Sequence, residues 1–188
     1  MMRIILTSMI FYSLSCTKNP ANLIGQKPYF DLTGYFDDQI SRLYADSFII
    51  IKTANINGKT DQHTMPWTDW RKELALFYAS DINKSSFIGK YMIDTAIIGN
   101  REKKISYKAI DRDLRTNLIE VTLSSHDNSI TRLHIVNKSD HFLSSNTEEL
   151  YYEPLKSYIV KSTQQMKLFG NDSYSVKGDI VNKHRQYF

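Results

Sequence analysis

An α+β fold is predicted, with two amphipathic helices packed on a curved, mainly antiparallel sheet or partial barrel of roughly eight to ten strands. Three features of the 188-residue chain lead to it. Apolar residues recur at helical spacing in two early segments only. Between those segments, an Asn57-Gly58 dipeptide joins two strand-like runs. From Lys90 onward, short β-branched and apolar runs alternate with polar turns, the order expected of an antiparallel sheet.

The first helix is read over 31–44, where Leu32, Tyr35, Phe36, Ile40, Leu43 and Tyr44 share one stripe. Asp31 is suited to the N-cap, and Gly34 weakens the first turn slightly. A stripe rich in Tyr and Phe reads first as core, with a ligand-cavity lining as the alternative. The runs 48–56 and 59–65 form a hairpin on Asn57-Gly58, the dipeptide that tolerates the positive φ angles of a type I′ turn. A second helix opens at Pro66-Trp67-Thr68, with Thr68 as N-cap and Asp69 near the positive end of the helix dipole. Trp70, Leu74, Phe77 and Tyr78 form its buried stripe.

Strands are then read at 90–98, 105–111, 118–124, 130–137, 141–144, 149–153, 158–168 and 173–181. Gly99-Asn100, His126-Asp127-Asn128 and Gly170-Asn171-Asp172 supply turn chemistry between them. Ile119, Val121 and Leu123 alternate with Leu118, Glu120 and Thr122, as in a strand with one buried and one mixed face. The tail 182–186 is polar and suited to fraying.

The N-terminus carries the clearest signal. A charged start, Met1-Met2-Arg3, and an apolar run over 4–12 end in Ser13-Leu14-Ser15 before Cys16, the one cysteine of the chain. That is the layout of a bacterial lipoprotein signal, cut before a cysteine whose sulfur carries a lipid. A membrane span needs about 20 apolar residues, roughly twice what this run offers. Ser13 stands where the usual lipobox has leucine, and Leu14 one place later suggests a looser variant. The expected division is a signal peptide over 1–15, a tether over 16–28 that includes Thr17, Lys18, Asn19 and Pro20, and one globular domain over 29–188. With a single cysteine, no intramolecular disulfide can form. The expected address is the cell envelope, lipid-anchored to a bacterial membrane. Thr17, Lys18 and Asn19 carry neither a retention aspartate nor an acidic run, which makes the outer membrane facing the periplasm the default.

A net charge of +4 is weak, and the densest basic run, Arg101-Glu102-Lys103-Lys104, reads as a solvated turn; no nucleic-acid partner is expected. The five histidines, His63, His126, His134, His141 and His184, show no ligand spacing, although His134 and His141 flank a strand pair and could approach each other. Asp111-Arg112-Asp113 and Asp81-Ile82-Asn83 read as turns rather than calcium loops. No Gly-x-Ser-x-Gly occurs, and Asp69, Glu73 and Asp94 are candidates for a catalytic carboxylate pair only if a cleft gathers them. No catalytic residue, metal or cofactor is expected, and the chain is read as a non-enzyme. Trp67, Trp70, Tyr151 and Tyr152 are the candidates for an exposed aromatic patch contacting a partner or ligand, since such side chains dominate interfaces. The alternative places Trp70 in the core and uses Trp67 to staple the helix start.

Several strings taken together carry a resemblance: Ser15-Cys16, Lys27-Pro28-Tyr29-Phe30-Asp31-Leu32, Asn57-Gly58-Lys59, Asp69-Trp70-Arg71-Lys72-Glu73-Leu74, Asp81-Ile82-Asn83-Lys84 and Tyr174-Ser175-Val176-Lys177-Gly178. With them, the chain resembles small envelope lipoproteins of Bacteroidota with no assigned function. The resemblance implies the envelope location and a non-enzymatic role, and transfers no site residue. Two functional classes follow: a lipid-anchored binding or structural module that engages another envelope protein, and a periplasmic carrier holding a hydrophobic ligand in an apolar cavity between sheet and helices.

Overall fold

The computed structural model describes residues 27–166 and 170–183. The expected signal peptide, Cys16 and all but the last two residues of the tether lie outside them. In chain order the elements are α1 (Leu32–Ala45), β1 (Phe48–Ile56), β2 (Lys59–Met65), α2 (Trp70–Glu73), α3 (Ala75–Ala79), a 3₁₀ turn (Ser85–Phe87), β3 (Tyr91–Ile98), β4 (Glu102–Ala109), β5 (Thr116–Ser124), β6 (Ile130–Asp140), β7 (Ser144–Glu153), β8 (Ser157–Met166) and β9 (Gly170–Asn182). All strands join one open nine-stranded sheet, ordered β2-β1-β9-β8-β7-β6-β5-β4-β3, with every neighbouring pair antiparallel. The fold is α+β. Strands β3 to β9 form a meander of short connections, and the early β1–β2 hairpin is added beside β9.

Helix α1 is capped as its sequence suggests, with the Asp31 carboxylate accepting the Gly34 N–H at 2.7 Å. A Cβ at Gly34 would run into that carboxylate, so the glycine that weakens the turn also makes room for its cap. Leu32, Phe36, Gln39 and Leu43 are buried at spacings of four, three and four. The second predicted helix is a correction: it is two short helices, α2 and α3, divided at Leu74 (φ −96°, ψ 15°). Its N-cap is Asp69, whose carboxylate accepts the Lys72 N–H at 3.2 Å, not Thr68 one residue earlier. Trp70, Leu74 and Phe77 are still buried across the break. Tyr78 is half-buried: its ring packs against the core with its centroid 5.9 Å from that of Phe36, and its hydroxyl donates to Asp37 at 2.7 Å beneath the Arg71 guanidinium.

The strands differ from expectation in three places. No separate strand runs over 141–144: residues 141–143 make the turn closed by His141 N–H to Ser144 C=O (2.8 Å), and β7 continues unbroken through Asn146 and Thr147. Those polar residues fall in the gap between the strands expected at 141–144 and 149–153, yet the ladder from Asp140↔Ser145 to Leu133↔Tyr152 carries them. The basic run is not wholly a turn, because β4 starts at Glu102 and Lys103 and Lys104 pair with Leu123 and Thr122. Gly170, Asn171 and Asp172 are the first residues of β9, opposite Met166, Gln165 and Gln164. The Asn57-Gly58 hairpin forms as read, with φ 49° and 87° at the two residues.

The register aligns Tyr107, Ile119, Ile135, Leu150 and Val160 in one row and Val121, Leu133, Tyr152 and Tyr158 in the next, all on the face the helices cover. Phe36 of α1 and Phe77 of α3 close on Tyr152, with ring centroids 5.0 and 5.8 Å from it and 5.0 Å from each other. Each such side chain withdrawn from water contributes about 1.5–3 kcal/mol, and the tilted ring pairs add to that. Beyond them the Tyr158 ring lies over Gly178 of β9, at the place a Cβ would fill, and its hydroxyl donates to Glu73. Lys52 reaches the same carboxylate at 2.7 Å. Burial, reinforced by the hydrogen bond to Glu73 and its negative charge, raises the Tyr158 phenol far above the ordinary range.

Glycine at 178 is therefore a packing requirement. Gly178→Ala is expected to lower stability in urea denaturation by about 1–3 kcal/mol, the usual cost of overpacking. Combined with Tyr158→Ala, the alanine at 178 should cost clearly less than it does alone. Additive losses would show that the ring does not enforce the glycine.

Candidate functional site

The fold separates the four aromatic residues singled out for surface contact. Trp70 and Tyr152 are in the core. Tyr151 points to the opposite face of the sheet from its neighbour Tyr152, as alternation along a strand requires. Trp67 is 91% exposed and so does not staple the helix start. Pro66, with no N–H to donate, ends the β2 ladder after Met65, and residues 66–69 loop out before Asp69 caps α2.

Trp67 stands at the rim of an open groove of about 470 Å³ that also reaches Trp70. Leu43 and Tyr44 at the end of α1, Phe48 at the start of β1 and Pro66 supply further apolar lining, and Lys183 after β9 supplies a cation. The Thr68 hydroxyl beside them is buried and has no hydrogen-bond partner among the described residues. Largely apolar, with one free hydroxyl and one ammonium, the groove suits an apolar side chain or chain segment that ends in a polar or anionic group. Neither Phe48 nor Lys183 could be assigned to it from sequence, because 135 positions separate them and only the β1–β9 pairing brings them together.

The uncovered face of the sheet carries a second organised surface. Glu120 of β5 accepts from Lys104 at 2.7 Å and is bonded to His134 Nδ1 at 3.1 Å. The His134 ring stacks on Tyr151 at 4.5 Å and 5°, Tyr151 donates to Glu149, and the Lys161 ammonium lies 5.5 Å from the Tyr151 ring centre. Burial favours protonation of Glu120, but hydrogen bonds from Lys104 and His134 outweigh it and hold the carboxyl below its usual range. Burial, then the bond to Glu149, pushes the Tyr151 phenol up to about 12. A second open groove of about 590 Å³ adjoins this row, lined by Met92, Leu118 and Val136 together with Asp94, Lys108 and Lys138. Sequence alternation places Glu120 and His134 on polar positions of their strands, but their meeting depends on the β5–β6 register.

His134 and His141 do not form a pair: His134 faces Tyr151 and Glu120 in mid-strand, while His141 lies in the turn after β6. Asp69, Glu73 and Asp94 do not converge either. Asp69 caps α2, Glu73 lies under the helices with Tyr158 and Lys52, and Asp94 belongs to the row of Ser106, Glu120 and His134 on the other face. Among the described residues no group of three His, Cys, Asp or Glu is arranged to hold a metal, and no helix is long and apolar enough to cross a membrane. No protein-family model, curated protein or solved structure matches the chain.

The depressed Glu120 carboxyl ties stability to pH. Its folded value lies below the usual 4.5, so its contribution is complete above that pH and disappears as pH falls through the folded value. Urea denaturation of Glu120→Gln should show a deficit of about 1 kcal/mol at pH 7 that shrinks steadily as the pH is lowered below 4.5. A deficit of the same size on both sides of pH 4.5 would mean that the charge on Glu120 does not carry the effect.

Proposed function

We propose that this chain is a lipid-anchored cell-envelope protein, held by Cys16 to a bacterial membrane, the outer membrane facing the periplasm by default. Its role is non-catalytic: it binds another envelope protein through the groove at Trp67. The observation that carries the reading is Trp67 itself, 91% exposed at the rim of a preformed apolar groove that it shares with Trp70. Tryptophan is among the costliest side chains to leave in water and the most enriched at the energetic centres of interfaces. The layout around Cys16 and the resemblance to small envelope lipoproteins of Bacteroidota support the anchored location.

The carrier reading called for a deep apolar cavity between helices and sheet. Phe36, Phe77, Tyr152 and Tyr158 fill that layer, each nearly or fully buried, which favours the binding module. The groove at Trp67 has the volume of a small-ligand site and is the place where an apolar ligand would compete with a protein.

The test compares wild type, Cys16→Ala and Trp67→Ala expressed in the envelope, by intact mass and by what copurifies after membrane extraction. A diacyl or triacyl mass on the wild type, absent from Cys16→Ala, is expected, together with one stoichiometric protein partner that Trp67→Ala loses at least tenfold in affinity. Since Trp67 contributes little buried surface, Trp67→Ala should unfold within about 0.5 kcal/mol of wild type. An unmodified Cys16 defeats the anchoring. A partner retained by Trp67→Ala defeats the site, and a lipid copurifying without any protein hands the groove to the carrier reading.

A further inference from the structure

The two outer strands of the sheet are built differently. β2 exposes Lys59, Asp61, Gln62 and His63, and the Asp61 carboxylate caps the Gln62 N–H at 2.9 Å. A charged, self-satisfied edge of this kind keeps a sheet from growing. β3 carries a single charge, Asp94, among Met92, Ile93, Ile97 and Ile98, with Met92 59% and Ile97 80% exposed. The Ile110 N–H donates to the Lys90 carbonyl at 3.0 Å, and these two residues continue the β3–β4 register. By the alternation of an antiparallel ladder, even-numbered residues of β3 bond to β4 while Ile93, Thr95 and Ile97 turn N–H and C=O outward. The Thr95 N–H agrees with this, since it is held by the Asp94 carboxylate at 2.9 Å.

We propose that β3 pairs antiparallel with β3 of a second copy of this chain, about a two-fold axis at Thr95, joining two nine-stranded sheets edge to edge. A two-fold axis normal to the sheet keeps the two helix-covered faces on the same side only when the numbers of opposed residues add to an even sum. Centring on Asp94 would set two carboxylates directly opposite each other, which is unfavourable. Centring on Thr95 pairs residues 92–98 in full. Ile93 then lies opposite Ile97 on the helix-covered face, and Met92 opposite Ile98 on the other. Charge is complementary in this register. Asp94 falls opposite Ala96, and the next residue in that row is Lys104 of the second copy. Two strand spacings put them about 10 Å apart across a methyl group, within reach of a lysine stem. Pairing thus exchanges one set of bonds for another: Asp94 releases the Thr95 N–H to the second copy's strand and turns to its Lys104, whose ammonium keeps its 2.7 Å bond to Glu120 and has further N–H donors for a second carboxylate.

The test uses the full chain carrying Cys16→Ala, in mild detergent, by sedimentation and light scattering over a range of concentrations. A monomer–dimer equilibrium is expected, weakened at least tenfold by Ile97→Lys, a change at a side chain too exposed to disturb the fold. Thr95→Pro should act the same way, because it removes an outward N–H and spares the β3–β4 ladder. Thr95→Cys should form a disulfide-linked dimer on oxidation, and Thr60→Cys on the β2 edge should not. A monomer at every concentration, whether bare or holding a strand of another protein at β3, overturns the proposal. So does a dimer that Ile97→Lys leaves intact, or one crosslinked equally well through Thr60→Cys.

Discussion

The structure depends on covering one face of a nine-stranded sheet with very little helix. Twenty-three helical residues lie in α1, α2 and α3 (14, 4 and 5), and α3 ends after little more than one turn. Helices this short have almost no intrinsic stability and are held by packing. The contact that supplies it is the cluster of Phe36, Phe77 and Tyr152, in which each ring touches the other two. Tyr152 is the sheet's contribution, and its hydroxyl reaches Gln39 of α1 at 3.3 Å, satisfying a polar pair inside the layer. A buried amide and a buried phenol would each cost free energy if left alone, so this bond fixes the helix in register as well as in place.

The break at Leu74 follows from the same constraint. A straight helix presents one stripe, whereas Trp70 must line the groove below α1 and Phe77 must meet Phe36 and Tyr152. Dividing the helix at Leu74 serves both while keeping Leu74 itself buried. Glu73, the last residue before the break, is placed to accept from Tyr158 and Lys52, which binds the helix end to β8 and β1. Tyr158 in turn needs Gly178 beneath it, so a helix break, a phenol, an ion pair and a glycine on a third strand form one unit.

Most of the strands were legible because the meander is local: alternation and turn chemistry identify them one at a time. Asn57-Gly58 worked because positive φ at two successive residues is a strong chemical demand. Failures occurred where tertiary pairing overrides local composition. Asn146 and Thr147 are polar and fall between two expected strands, yet strands on both sides hold them in β7. The second helix was misread because the spacing of Trp70, Leu74 and Phe77 fits one stripe, and nothing in a sequence shows that two of its members have different destinations. At the candidate site, Trp67 and Trp70 could be named from residue type alone. Phe48 and Lys183 reach the groove from distant segments, and Glu120 and His134 meet across a register, so neither association is visible one residue at a time.

The placement of the chain's first described residues bears on how an anchor and a contact surface could coexist. Tyr29 packs against Tyr91 and Tyr107 and donates to the Phe87 carbonyl, and Asn83 holds its N–H, so the chain joins the fold beside β3 and β4. From there α1 crosses the sheet to β1 and β9, where Lys183 N–H bonds to Ser47 and the Trp67 groove opens. A 14-residue helix is about 21 Å long. A lipid on Cys16 would therefore tether the protein from one end of α1 and leave Trp67 at the other, so that anchoring does not consume the surface proposed for recognition. The apolar β3 edge lies on the side where the chain enters the fold, and attachment to a membrane there would raise the local concentration of copies and favour a weak edge-to-edge pairing. The two surfaces are served by opposite ends of one helix, and neither has to be given up for the other.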